Sequence, residues 1–144
     1  MTTVRQILET KGNQIWSVSP ETTVFDAIKL MADKNVGALL VLEAEKLRGV
    51  ISERDYARKV ILKGKSSKET HVKEIMTAEV VIIRPENSIE ECMAVMTHKR
   101  IRHLPVVDKE RLIGMISIGD VVKAIISEQE FTIKQLENYI TGSR

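Results

Sequence analysis

A seven-residue stretch recurs at an offset of 65 positions, and this duplication limits the possible folds more than any other feature. Gly49-Val50-Ile51-Ser52-Glu53-Arg54-Asp55 is matched by Gly114-Met115-Ile116-Ser117-Ile118-Gly119-Asp120. The same offset carries Pro20 to Pro85, Glu21 to Glu86, Met31 to Met96, Leu39 to Leu104, Val41 to Val106 and Leu47 to Leu112. Chance does not hold a proline, a glycine, a serine and an aspartate in one register over such a span. Two copies are too few for a solenoid, which needs at least three. The economical reading is a pair of repeats related by pseudo-two-fold symmetry, each completing the other's core.

Each copy reads as a glycine, a short apolar run, a serine, and an aspartate three residues later. If the run is a buried strand leading into a helix, Ser and Asp stand at the corner where the first helical N–H groups lack partners. There a hydroxyl or carboxylate either caps the helix or holds a ligand.

The rest of the chain supports a repeated order of elements. Residues 14–19 read as a strand closed by Pro20, and Thr23 opens an amphipathic helix with Val24, Ala27, Ile28 and Met31 as its apolar stripe. Thr23 and Asp26 have capping-box spacing, with Asp the weaker partner. Residues 38–42 and 47–51 are short strands around a charged turn, and a helix from about Glu53 is stopped by Gly64. The polar stretch 63–70 marks the linker. After it Val72, Ile75 and Met76 repeat the opening Val4, Ile7 and Leu8. A strand at 80–83, a helix from Ser88 with Glu91 in the capping-box position, strands at 103–107 and 112–116, and a helix from about Gly119 complete the second cycle. The last segment, 128–140, has no counterpart and reads as a separate amphipathic helix carrying Phe131, Ile133, Leu136, Tyr139 and Ile140. The expected organisation is a first repeat at 1–64, a linker at 65–71, a second repeat at 72–127 and a C-terminal helix at 128–144.

This duplicated α/β (α+β) pattern, β-α-β-β-α with Gly-h-h-Ser-x-x-Asp at the last corner, resembles a tandem cystathionine-β-synthase (CBS) domain pair. Ser17-Val18-Ser19-Pro20, Ile82-Ile83-Arg84-Pro85 and Arg102-His103-Leu104-Pro105-Val106-Val107-Asp108 also resemble that family. The resemblance covers nearly the whole chain. It implies a regulatory module that binds adenine nucleotides or related adenosyl ligands in clefts drawing on both repeats. One pocket is then expected to take Ser117 and Asp120, walled by Ile15, Trp16, Val36, Gly37 and Ala38. The other is expected to take Ser52, Arg54 and Asp55, facing Val80, Val81, Ile101, Arg102 and His103, and to be the more basic.

The residue types suit that chemistry. An ionised Asp accepts hydrogen bonds from both hydroxyls of a ribose, and charge assistance strengthens them. A serine hydroxyl and helix-start N–H groups hold phosphate oxygens, while Arg54, Arg102 and His103 are candidates to neutralise phosphate charge. Val80, Val81 and Ile15 are candidates to sandwich an adenine. Trp16 is either a base-stacking residue or simply part of the core or rim.

Composition excludes other classes. The chain has 144 residues, 22 Lys+Arg against 20 Asp+Glu, and a net charge of +2, so no general attraction to nucleic acid or membrane is expected. No apolar stretch approaches a bilayer span, and Arg5, Glu9 and Lys11 interrupt any signal-peptide pattern. The single cysteine, Cys92, excludes an intrachain disulfide and reads as core, which fits the cytoplasm. His71, His98 and His103 lack metal-site spacing. No catalytic triad, nucleotide-binding glycine loop or paired catalytic carboxylates appear, so no enzyme, catalytic cofactor or metal is expected. Two function classes follow. One is a sensor of AMP, ADP, ATP or NAD; the other is an adaptor with degenerate ligand sites that acts through its C-terminal helix. In either, output travels through association; the resemblance implies a homodimer, as pairs of that family form dimers, and an unidentified effector protein is the other expected partner.

Overall fold

The computed structural model describes residues 2–141, and the chain divides into two compact units. One runs from Gln14 to Val81; the other combines the residues up to Asn13 with those from Ile82 onward. Met1 and positions 142–144, assigned above to the first repeat and to the C-terminal helix, lie outside the described residues. The architecture is mixed α and β, with one small sheet and its helices in each unit.

In the 14–81 unit, β1 (Ser17–Val18) runs parallel to β2 (Ala38–Glu43), which is antiparallel to β3 (Lys46–Ser52). Helix α2 (Val24–Lys34) buries Val24, Ala27 and Met31 against Leu39, Val41 and Ile51. Its Thr23 cap accepts from the Asp26 N–H at 3.2 Å, but the reciprocal half of the box is absent. The linker compensates: the carbonyls of Thr70 and Ser67 accept from the Val24 and Phe25 N–H groups at 2.8 and 2.9 Å. The stretch read as a plain linker is therefore part of the helix cap. After β3, α3 (Glu53–Tyr56) continues into a π-helical turn at Ala57–Ile61, and α4 (Val72–Ile75) closes the unit.

The other unit holds α1 (Val4–Lys11), α5 (Ile89–Lys99), β4 (His103–Asp108), β5 (Arg111–Ser117) and α6 (Ile118–Thr141). The Ser88–Glu91 box, unlike that of Thr23 and Asp26, is complete, at 3.1 and 2.9 Å. Two sequence expectations need correction. The strand at 80–83 shrinks to one bridge between Ile83 and Val106. In the 14–81 unit the Leu40 N–H extends the ladder to the Trp16 carbonyl, but its counterpart is Pro105, which has no N–H to give. The C-terminal segment is also not separate: α6 is one continuous helix of 24 residues, roughly 36 Å long. Among the described residues no helix is long and apolar enough to cross a membrane.

Each unit seats a short helix from the other end of the sequence pattern. The Val4 and Arg5 N–H groups of α1 donate to the Asn87 and Pro85 carbonyls, and the Val72 and Lys73 N–H groups of α4 donate to those of Thr22 and Pro20. These helices press on the two motif glycines. A Cβ at Gly114 would stand 2.8 Å from a Leu8 methyl, and one at Gly49 would stand 2.8 Å from the Thr77 carbonyl oxygen and 2.9 Å from the Met76 sulfur. The glycines provide room rather than backbone freedom. Because Gly49 faces main chain and Gly114 faces the end of a side chain, Gly49→Ala should cost about 1–3 kcal/mol and Gly114→Ala less. Chemical denaturation of both variants checks this, and the reverse order would contradict the account.

Candidate functional site

Both Ser-x-x-Asp segments sit at the strand-to-helix corner, and both are complete caps. Ser52 Oγ accepts from the Asp55 N–H at 3.2 Å, while Asp55 Oδ2 accepts from the Ser52 N–H at 3.0 Å and its hydroxyl at 3.1 Å. Ser117 Oγ accepts from the Asp120 N–H at 3.2 Å, and Asp120 Oδ2 accepts from the Ser117 N–H at 2.7 Å. The caps fix the carboxylates in place, with side chains only 13% exposed for Asp55 and 19% for Asp120.

Each carboxylate also holds a lysine that the sequence reading missed. Lys59 Nζ lies 3.2 Å from Asp55 Oδ1 and donates to the Ile75 carbonyl at 2.9 Å. Lys11 Nζ lies 2.7 Å from Asp120 Oδ2 and donates to the Met115 carbonyl at 2.9 Å. The i,i+4 spacing of Asp55 and Lys59 was a usable signal. Lys11, 109 positions from Asp120, left none, because it arrives on α1.

Strand register decides the neighbours within each unit. Ala38 pairs with Ser52, and the Gly37 carbonyl accepts from the Glu53 N–H at 3.1 Å. Gly37 and Ala38 therefore stand beside Ser52 and Asp55 in the 14–81 unit. Likewise His103 pairs with Ser117, and the Arg102 carbonyl accepts from the Ile118 N–H at 2.8 Å. Arg102 and His103 thus stand beside Ser117 and Asp120 within their unit, although the resemblance had grouped them with Asp55. Lys11 is the cation in contact with Asp120 at this corner, and the His103 imidazole lies close enough to both to feel their charges.

Other expectations shift in detail. Ala38 is 1% exposed, so its methyl belongs to the core. Trp16 is half-buried against the core of its unit, and Lys34 Nζ covers one ring face at 4.4 Å from the centroid. Ile15, Val36, Gly37, Val80, Val81 and Ile101 are half-buried, while Arg54 and Arg102 are exposed. Cys92 is fully buried, and burial reinforced by Glu91 pushes its thiol up to about 11, so it is no nucleophile. Among the described residues no group of three or more His, Cys, Asp or Glu is placed to hold a metal.

Burial works against ionisation of Asp120, but the Lys11 hydrogen bond and the Ser117 N–H outweigh it and hold the carboxyl below its ordinary 3.8. Burial is also the main influence on His103. Together with the charges of Lys11 and Arg102 it outweighs the pull of Asp120 and lowers the imidazole below its ordinary 6.5. The lowered value leaves His103 mainly neutral near pH 7, a hydrogen-bonding group rather than a standing cation. Both groups bind fewer protons folded than unfolded, so both make stability rise with pH. The Asp120 contribution is complete above its unfolded value and is lost as pH falls through the lowered folded value. The His103 contribution is complete above about 6.5 and shrinks below it. Denaturation between about pH 7.5 and 5 should show stability falling on acidification, with a smaller fall in His103→Gln. An NMR titration placing His103 at or above its unperturbed value would refute the burial account.

With the geometry established, comparison places the chain among known proteins. The mitochondrial CBS domain-containing protein CBSX3 of Arabidopsis thaliana is 42% identical over 151 aligned residues, covering 98% of this chain and 73% of that protein. The CBS domain-containing protein YhcV of Bacillus subtilis is 33% identical over 137 residues, covering 95% and 90%. The solved structure of a protein with CBS domains from Burkholderia ambifaria superposes with a TM-score of 0.87 at 55% identity, covering 89% and 96%. A CBS domain pair solved in complex with 5′-methylthioadenosine and S-adenosyl-L-methionine shares the fold, with a TM-score of 0.79 at 23% identity and coverage of 89% and 98%. The CBS domain model matches residues 4–62 and 72–127, and with these relatives aligned over nearly its whole length the chain belongs to the CBS-domain family.

Proposed function

We propose that this chain is a regulatory module that binds an adenine nucleotide, with AMP, ADP, ATP and NAD as the candidate ligands, and does not transform it. The observation that carries the reading is the duplicated corner, where a capped, half-buried carboxylate is held beside a lysine in each unit. A carboxylate fixed in this way is a preorganised acceptor for two ribose hydroxyls and needs no ordering when the ligand arrives. Arg54, Arg102, Lys11 and Lys59 are the cations for phosphate, with Ser52 and Ser117 beside them. Neutral His103 contributes a hydrogen bond rather than charge. Ile15, Val36, Val80, Val81 and Ile101 are the apolar residues for the adenine, and Trp16 serves the rim, one face already covered by Lys34. Family membership and the adenosyl ligands of the distant CBS pair support the ligand class.

Regulation follows if the ligand binds one conformation better than another, since only differential affinity shifts an equilibrium. The proposed assembly is a homodimer that passes the signal to an effector protein. The proposed compartment is reducing, cytoplasmic or, as the name of the Arabidopsis relative suggests, mitochondrial. One observation favours the adaptor reading instead: Phe131, Ile133, Leu136, Tyr139 and Ile140 on α6 are all more than half exposed.

Thermal shifts with AMP, ADP, ATP, NAD, NADH and S-adenosylmethionine separate the two. A ligand at a hundred times its dissociation constant should stabilise the protein by about 2.7 kcal/mol. Asp55→Asn and Asp120→Asn keep an acceptor for the cap but remove the ionic partner of Lys59 or Lys11, so each should abolish the shift at its own corner at some cost in stability, with the response of the other corner retained. A protein that responds to none of the six ligands is the adaptor.

A further inference from the structure

Helix α6 leaves its unit halfway along. Its first turns pack on α5, β5 and α1, and Glu128 accepts from the Thr2 hydroxyl at 2.8 Å. From Gln129 to Ile140 every residue except Asn138 is exposed. A helix of a dozen residues without tertiary cover is marginal in water, so this half of α6 calls for a partner.

The spacing of its apolar residues identifies that partner. Val122, Ile126, Gln129, Ile133, Leu136 and Ile140 follow one another at alternating intervals of four and three, the a/d rhythm of a heptad repeat. At 3.6 residues per turn they fall within roughly 80° of arc, a single narrow seam. Its five apolar members are 41%, 48%, 55%, 57% and 81% exposed in chain order, so among the described residues none covers it fully. The a positions are all Ile (126, 133 and 140), and the d positions are Val122, Gln129 and Leu136. β-branched residues at a with Leu at d favour a parallel two-stranded coil, and a polar residue in the seam sets register.

We infer that residues 122–140 of α6 pair with the same helix of a second copy of this chain as a parallel two-stranded coiled coil. The orientation follows from Gln129. In a parallel pair its amide meets the same amide of the second copy, and each supplies a donor and an acceptor. An antiparallel pair sets Gln129 against Ile133 and leaves a buried amide without a partner. In the parallel pair the seam-edge residues Ile125 and Thr132 stand opposite Glu130 and Glu137, with no like charges facing. The antiparallel pair sets Glu130 against Glu130 but also Lys123 against Glu137 twice, so charge does not choose between them and the orientation rests on Gln129. Phe131 lies on the opposite side of the helix and takes no part. This inference names the surface behind the homodimer proposed above and is independent of nucleotide binding.

Analytical ultracentrifugation of the full chain over a range of concentrations tests it. The wild type should dimerise, and Ile133→Asp/Leu136→Asp should be monomeric with its melting temperature and ligand shifts retained, since both residues are more than half exposed. Gln129→Leu should tighten the dimer about tenfold or more, a gain that a folding defect cannot imitate. Orientation is read from Tyr139→Cys labelled with pyrene, the buried Cys92 staying unlabelled. A parallel coil brings the two labels together and gives excimer emission, whereas antiparallel pairing holds them about 24 Å apart along the axis. A dimer that survives the double aspartate variant, or association unchanged or weakened by Gln129→Leu, overturns the seam while leaving the homodimer in place. A wild-type dimer without excimer overturns the parallel coil, and a wild-type monomer overturns both the seam and the homodimer.

Discussion

The structure depends on the seating of a short helix against bare strand backbone, once in each unit. α1 lies on β5 at Gly114, and the residues just after α4 lie on β3 at Gly49, where a Cβ would have no room. Close approach at these points lets the first N–H groups of α1 and α4 reach the carbonyls around Pro85 and Pro20. Helices of eight and four residues have little stability alone, so packing and end-capping supply their order. The arrangement also makes each unit from two separated stretches of the repeat pattern.

That seating governs the electrostatics of the corners. Lys11 rides to Asp120 on the last turn of α1, whereas Lys59 reaches Asp55 from one turn along the same helical segment. Equivalent carboxylates therefore receive equivalent cations from unrelated places in the chain. The caps hold the carboxylates, the lysines balance them, and at the second corner His103 is left mainly neutral by burial beside two cations. In the proposed reading the nucleotide meets groups already oriented and already charged, so recognition requires exchange of partners at the lysines more than reorganisation of backbone.

Much of the fold was legible because its signals are local. Ser88 and Glu91, Ser52 and Asp55, and Ser117 and Asp120 sit three apart, and short-range hydrogen bonding turns that spacing into caps. The charged turns between paired strands were equally readable, since each joins two apolar runs through two residues. The strand at 80–83 failed for a reason the sequence contained, Pro105, but the consequence emerges only when the proline's ladder partner is known. The linker's role as a cap for α2 and the continuity of α6 were hidden because composition describes polarity and not hydrogen-bond partners. At the site, the aspartates and serines were found from the repeat, and Lys59 had a detectable spacing. Lys11 did not, and the grouping of Arg102 and His103 with Asp120 inside one unit needed the strand register.

The sequence by itself determined the duplication, the order of elements, the family and the identity of the corner residues, because each rests on spacing within a few positions or on one constant offset. It also contained the heptad rhythm of α6, although only the exposure of that face marked it as unpartnered. The tertiary structure decided which short helix serves which sheet, which lysine neutralises which carboxylate, and that His103 is mainly neutral. These depend on distances between residues far apart in the chain and on burial, and neither is encoded in local pattern.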